Sequence, residues 1–179
     1  MSAFKDISNL FTSIRHHVGR VTSFSWEDGS VSLSVFGIKA EDVVSKSCAV
    51  FSLCAGEVLC SLVSRKKRKP FERGKKNAQT AYILPFLSKR LFESGADVLY
   101  CREIENGQMI LFQCDSLLLE KVLGVISDAL FQFRSIGIKK LFIDNCAGFS
   151  SIRVHFSVDG ETDLLPFLYE NSDIFGGQK

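Results

Sequence analysis

The stretch VLYCREIENGQMILFQCDSLLLEKVLGVISDALFQF, from Val98 to Phe133, decides the class of fold. Its first part is centred on Asn106-Gly107, a dipeptide that suits a two-residue turn, and it predicts a β-hairpin over Val98 to Cys114. Its second part predicts a long amphipathic helix, with Ser116 as the N-cap and Gly137 at the end. The apolar face of this helix contains Leu119, Val122, Leu123, Ile126, Leu130 and Phe133. A hairpin followed by such a helix indicates an α+β domain.

The same two patterns predict the remaining elements of the chain. Apolar residues at spacings of three and four indicate an amphipathic helix from about Ser2 to Val18. The other predicted elements are a hairpin from Val21 to Val35 around Asp28-Gly29, a short helix around Ala40 to Lys46, a hairpin from Cys48 to Val63, a helix opened by Pro85 and ending near Gly95, a hairpin formed by Leu141 to Ile143 and Ile152 to Val158, and a helix opened by Leu165-Pro166-Phe167 and ending at Gly176-Gly177.

Four landmarks occur twice in the same order, which indicates an internal duplication. Asp28-Gly29 matches Asn106-Gly107, EDVV matches EKVL, Cys54-Ala55-Gly56 matches Cys146-Ala147-Gly148, and ILPFL matches LLPFL. We therefore predict mainly antiparallel β-hairpins with packed helices, arranged as two pseudo-symmetric ββαββα halves, 20–95 and 97–175, behind an N-terminal helix. The expected core residues are Phe51, Leu53, Leu99, Leu111, Val122, Ile126, Leu130, Ile143 and Val154.

The bulk composition is typical of a packed globular protein. With 179 residues, 46% hydrophobic content and 16 Phe, the chain is expected to form a single compact domain, 1–179. No run reaches the ~18 uninterrupted apolar residues of a membrane span. The N-terminus also lacks the pattern of a signal peptide, which favours a cytoplasmic protein. Its six Cys are then expected to be reduced and mostly buried thiols.

A basic run stands out from a mildly acidic remainder. Eight of the 22 Lys and Arg residues and one of the 20 acidic residues lie between Arg65 and Lys76, which leaves 14 basic and 19 acidic residues elsewhere. The run coincides with extra residues in the first half of the repeat, which predicts an inserted basic loop over 64–79. Clustered cations repel one another unless phosphates or counterions neutralise them. The predicted phosphate-binding residues are Arg65, Lys66, Lys67, Arg68, Lys69, Arg73, Lys75 and Lys76.

This charge distribution favours a non-enzymatic, regulatory or architectural protein that binds the backbone of DNA or RNA without base-specific contacts. Phe71 and Tyr82 are candidates for stacking on bases. Three other interpretations of the run stay open: a plain solvated loop, a site for anionic lipid or an acidic protein, and a nuclear-import signal in a eukaryotic or viral chain. The competing function is a protein-protein interaction module, an adaptor or a chaperone, that uses sheet edges and the N-terminal helix.

The sequence contains no recognised catalytic or metal-binding motif. G-x-S-x-G, H-E-x-x-H, P-loop and G-x-G-x-x-G patterns are all absent. Asp97, Glu103 and Glu105 lie on one predicted hairpin, but the lysine expected beside the second acid of a metal-dependent nuclease is absent. We therefore interpret Glu103 and Glu105 as the solvent side of the strand. The spacing of Cys48, Cys54 and Cys60 suits buried thiols better than one tetrahedral ion. No cofactor is therefore expected.

Overall fold

The structure is a computed structural model that describes residues 3–27, 29–43, 48–52, 56–62, 80–105, 107–146, 148–158 and 160–175. The strands of these ranges are β1 (Arg20–Glu27), β2 (Ser30–Phe36), β3 (Cys48–Ser52), β4 (Glu57–Leu62), β5 (Asp97–Ile104), β6 (Gly107–Asp115), β7 (Gly137–Cys146) and β8 (Phe149–Ser157). The α-helices are α1 (Ala3–His16), α2 (Thr80–Glu93), α3 (Leu119–Gln132) and α4 (Leu164–Glu170), with 3₁₀ turns at Ala40–Asp42, Ser116–Leu118 and Ser172–Phe175. The predicted α+β class is confirmed.

The strands form one antiparallel sheet in the order β3-β4-β2-β1-β7-β8-β6-β5. Alternate residues along the inner strands are buried, as the two-residue period of a strand requires when a sheet has one covered face. Leu33, Phe24 and Ile143 are direct cross-strand neighbours, and all three are buried. Ile152 and Phe112 continue the same row across β8 and β6. The covered face is therefore a continuous apolar layer.

The N-terminal helix α1 packs its apolar stripe on this layer. The ring of Phe4 stacks on that of Trp26 with their centres 5.8 Å apart. Phe11 meets Phe24 and Phe175 edge-on, each with a centre-to-centre distance of 6.4 Å. Aromatic pairs of this kind contribute about 0.5–1.5 kcal/mol each beyond the burial of their area. The stripe of α1 is thus buried within this chain.

The two halves of the chain share a strand order but differ in their first helix. The first half has the order β3-β4-β2-β1 and the second half has β7-β8-β6-β5, which is the same order for strands counted from the start of each half. The predicted short helix at 40–46 is a 3₁₀ turn over Ala40–Asp42, where the second half has the 14-residue helix α3; residues 44–47 lie outside the described residues. The duplication itself stays a prediction.

The cap and the end predicted for α3 are wrong. Asp115 provides the cap, because its carboxylate accepts a hydrogen bond of 2.8 Å from the backbone N–H of Leu117 in the 3₁₀ turn that leads into α3. The hydroxyl of Ser116 is buried and instead accepts a hydrogen bond from Ser150 on β8. The helix ends at Gln132, and Gly137 begins β7.

The helix starts and ends predicted from the two prolines agree only in part with the structure. Pro85 lies inside α2, which begins at Thr80. Its ring lies on the exposed side of the helix, while the preceding Ile83 and Leu84 are buried in the core, and this burial offsets the hydrogen bond that a proline removes. Pro166 lies in the first turn of α4, as predicted, but that helix ends at Glu170; residues 176–179, including the predicted end at Gly176-Gly177, lie outside the described residues.

Two predicted core residues are not in the core. Leu99 is 56% exposed because it is the extra residue of an irregularity in β5, between Val98 and Tyr100. Leu111 is half-buried because it lies on the face of β6 opposite the helices. The side chain of Phe51, and Leu53, lie outside the described residues. The other predicted core residues are buried: Val122, Ile126, Leu130, Ile143 and Val154.

Candidate nucleic-acid interface

The sheet has a second face that does not contribute to the core. The buried cluster that joins the helices to the sheet contains Phe24, Ile143 and Val154, together with their neighbours on the same face. The side chains between them along each strand point to the other face, and none of these belongs to the cluster. We call this surface the open face. Its composition changes from one half of the sheet to the other.

The half built from β1, β2 and β4 is rich in small hydroxyl groups. Ser25, Ser32 and Ser61 are cross-strand neighbours in one row of the open face. The half built from β5, β6, β8 and β7 carries large aromatic and cationic side chains instead. We call these residues the aromatic-basic patch: Tyr100, Arg102, Lys140, Phe142, Arg153 and His155.

The strand register arranges the patch in two rows across four strands. In the first row Tyr100 and Phe142 lie at the two ends, with Leu111 and Arg153 between them. The second row begins at Arg102 and continues through Met109, His155 and Lys140, as its cross-strand partners. Each row therefore spans three strand spacings, or about 14 Å.

Arginines in the patch lie beside aromatic rings. The guanidinium carbon of Arg153 is 4.3 Å from the centre of the Phe142 ring. The guanidinium of Arg102 lies 5.6 Å from the centre of the Tyr100 ring. Both distances fall within the range of a cation–π interaction, which orders the long arginine side chains on the sheet. The patch thus presents two ordered pairs of a cation and a ring.

The cations of the patch are only partly neutralised. Lys140 forms an ion pair with Glu27 on β1. Neither Arg102 nor Arg153 has a carboxylate within 4.0 Å among the residues that the structure describes. The remaining positive charge makes this half of the open face attractive to anions.

His155 lies among these cations. Burial lowers its pKa, and the positive charges of Arg153 and Lys140 lower the pKa further. Its Nε2 atom is buried and has no hydrogen-bond partner within the described ranges. The lowered pKa favours the neutral imidazole near pH 7, with a buried Nε2 atom, in a row that also contains Arg102 and Lys140.

The basic run predicted to bind phosphates lies outside the described residues. Arg65, Lys66, Lys67, Arg68, Lys69, Arg73, Lys75 and Lys76 all lie outside the described residues, as do Phe71 and the side chain of Tyr82. The last described residue before the run, Leu62, pairs with Val31. The row beyond that pair, one residue further along the neighbouring strands, contains Glu27, Lys140 and His155. Leu62 therefore lies near the end of the sheet that carries the second row of the patch.

A second exposed surface lies on the helices. Phe92 of α2 is 76% exposed and Phe131 of α3 is 73% exposed, and Leu117 beside the start of α3 is 70% exposed. The guanidinium of Arg134 lies 5.2 Å from the centre of the Phe131 ring. Phe131 and Arg134 thus form a further pair of a cation and a ring, outside the open face of the sheet.

Comparisons with known proteins give no relative for this chain: no family model, no curated protein and no solved structure matches it. Among the described residues, no helix is long and apolar enough to span a membrane, and no group of His, Cys, Asp and Glu side chains could hold a metal ion. Each of the five described cysteines is a free thiol.

Proposed function

We propose that this chain is a non-enzymatic protein that binds nucleic acid. The observation that carries the proposal is the pair of arginines Arg102 and Arg153. Each lies on the open face of the sheet beside an aromatic ring, and neither has a carboxylate partner in the described part of the chain. Cations held beside rings on an exposed sheet are suited to a ligand that combines phosphates with flat bases.

Electrostatics supports the same proposal. Nearby exposed cations repel each other, and a phosphate backbone removes this repulsion while it releases its own condensed counterions. The basic run from Arg65 to Lys76 adds eight further cations to a chain whose remaining residues are net acidic. Leu62, the last described residue before the run, lies on β4 near the sheet end that carries Lys140 and His155. We expect the run and the patch to bind one continuous backbone.

The test measures binding of a labelled oligonucleotide by fluorescence anisotropy over a series of salt concentrations. A patch variant combines Arg102→Gln with Arg153→Gln. Its matched control combines Lys5→Gln with Lys121→Gln, which removes the same charge from exposed positions on α1 and α3. We expect the patch variant to lose about tenfold in affinity at low salt, and the slope of log affinity against log salt to shrink by about 1.5. The control variant should keep most of the wild-type affinity and most of the wild-type salt slope.

Two outcomes would overturn the proposal. One is the lack of oligonucleotide binding by the wild-type protein at about 20–50 mM salt, where contacts with phosphates contribute most to affinity. The other is a patch variant that binds as its control does. The first outcome would favour the competing function, a protein-protein interaction module. The exposed Phe92 and Phe131 are the groups that favour this second function.

A further inference from the structure

The architecture of the patch also bears on which form of nucleic acid it takes. We infer that the aromatic-basic patch binds a single-stranded polynucleotide, whose bases stack at the Phe142–Arg153 pair and at the Tyr100–Arg102 pair. This inference rests on the proposed function and makes it more specific.

The shape of the patch does not suit the grooves of a duplex. The major groove of B-DNA is about 12 Å wide and admits an α-helix or a two-stranded ribbon. The patch instead spans four adjacent strands over about 14 Å, from the edge strand β5 through β6 and β8 to β7 in the interior of the sheet. Such a surface can touch the outside of a duplex but cannot reach the faces of paired bases. Only unpaired bases can lie flat on its rings.

The two pairs are positioned for stacking. Tyr100 is 44% exposed and lies on the edge strand β5, so a base can approach the Tyr100–Arg102 pair from solvent. Phe142 is half-buried beneath the exposed Arg153, and a guanidinium held over a ring is itself a flat surface on which a base can stack. Both pairs therefore offer a flat, apolar or cationic surface without specifying which base stacks there.

The spacing of the pairs sets the path of the ligand. The pairs are about three strand spacings apart, or about 14 Å, whereas stacked bases in a duplex strand are about 3.4 Å apart. The two stacked bases therefore cannot be neighbours in one stack, and a splayed chain must run between them. The second row, with Lys140 and His155, lies alongside this path, two residues further along each strand. Arg102 of this row, which has no carboxylate within 4.0 Å among the described residues, is suited to a phosphate of the intervening nucleotides, whereas Lys140 is paired with Glu27.

The experiment compares three labelled ligands of one sequence: single-stranded RNA, single-stranded DNA and the DNA duplex. The variants are Tyr100→Leu and Phe142→Leu, which retain an apolar side chain but remove the ring. The matched control is Phe36→Leu, an exposed ring at the far end of β2 and outside the patch. Melting temperatures show that each variant is folded.

We expect the wild-type protein to bind a single strand at least about tenfold more tightly than the duplex. Each patch variant should lose about tenfold in single-strand affinity with an unchanged salt slope, because it loses a stacked base and no charge. Phe36→Leu should bind as the wild type does. The RNA and DNA arms show which sugar is preferred, and either preference is compatible with the inference.

The failure of this inference differs from the failure of the proposed function. Equal, salt-dependent binding of duplex and single strand, or full single-strand affinity in both leucine variants, would overturn the single-strand inference and leave nucleic-acid binding in place. The lack of binding to all three ligands at low salt would overturn both.

Discussion

The guanidinium of Arg153 lies 4.3 Å from the centre of the Phe142 ring, its direct cross-strand neighbour between β8 and β7. The pair combines a positive charge with two flat groups, and either property could account for ligand binding at this position. The guanidinium is planar and always charged, whereas a lysine ammonium is a compact point charge. A lysine in place of Arg153 therefore separates the two contributions.

The first prediction concerns Arg153→Lys. We expect its affinity for a single strand to fall about three- to tenfold, because the stacking surface is lost. The slope of log affinity against log salt should stay within about 0.3 of the wild-type slope, because the charge is kept. Arg153→Gln should reduce both the single-strand affinity and the salt slope. A lysine variant that binds as tightly as the wild type would show that Arg153 acts through its charge alone.

The second prediction concerns pH. Burial and the positive charges of Arg153, Lys140 and Arg102 lower the pKa of the His155 imidazole in the folded protein, and the negative charge of Glu27 opposes them only in part. The unfolded chain has an ordinary pKa of about 6.5 and binds the proton first as pH falls. The free energy of unfolding should therefore decrease as pH falls from about 7 towards 5.

Urea denaturation at several pH values checks this dependence. The matched variant His155→Gln keeps a polar side chain but has no titration in this range, so its free energy of unfolding should change less with pH between 7 and 5. The other two histidines, His16 and His17, are present in both proteins and cancel in the comparison. Identical pH dependence in the two proteins would mean that His155 is solvated like an ordinary surface histidine.

The elements of the fold could be predicted from the sequence because their signals are local. Asn106-Gly107 and the alternation around it predict β5 and β6 to within a residue of their bounds. The cap of the following helix could not be assigned in this way. Asp115 and Ser116 are adjacent and both are good capping residues. The choice depends on Ser150 of β8, which is distant in sequence. Its hydroxyl donates a hydrogen bond to the hydroxyl of Ser116.

The patch was missed because it depends on the order of strands. Tyr100, Phe142 and Arg153 lie on three different strands, and they share one surface only because β7 and β8 pair with each other and β8 pairs with β6. The basic run is contiguous and was therefore visible in the sequence. One signal for the patch was available: the predicted strands carry aromatic and cationic residues at the alternate positions expected to face away from a core. That pattern marks a surface but does not say which strands are neighbours.

The third prediction concerns thiol reactivity. Cys101 and Cys146 are exposed, whereas Cys60 and Cys114 are buried. Burial raises the pKa of Cys114 to about 11, and the pKa of Cys60 is raised by its contact with the Cys48 thiol and by burial. The thiolate is the reactive form, so both groups should react slowly.

Alkylation of the native protein at pH 8, followed by peptide mass spectrometry, assigns the rate at each cysteine. We expect Cys101 and Cys146 to be modified at least about tenfold faster than Cys60 and Cys114. In denaturant the rates of all four should become similar, which serves as the control. Rapid native modification of Cys114 would show that β6 separates from the helices on the time scale of the reaction.

The last prediction concerns two glycines whose backbones touch. Gly137 begins β7, and Gly160 follows β8, where Ile138 and Glu161 exchange two backbone hydrogen bonds of 2.9 and 2.7 Å. A Cβ atom added to Gly137 would overlap the carbonyl of Gly160, and one added to Gly160 would overlap the backbone of Gly137. Backbone atoms on both sides leave no flexible side chain that could move away. Alanine at either position should therefore separate the two segments.

We expect Gly137→Ala and Gly160→Ala each to lower the free energy of unfolding by about 2–3 kcal/mol, as overpacking does in a close contact. Gly124→Ala is the matched control. That glycine lies inside α3, and its added Cβ would meet only the Tyr169 ring, at 3.4 Å, so alanine should stabilise the helix by about 0.5–1 kcal/mol. Urea denaturation monitored by circular dichroism measures all three variants. Equal stability of Gly137→Ala and Gly124→Ala would show that the backbones of β7 and of the segment after β8 are further apart than in this structure.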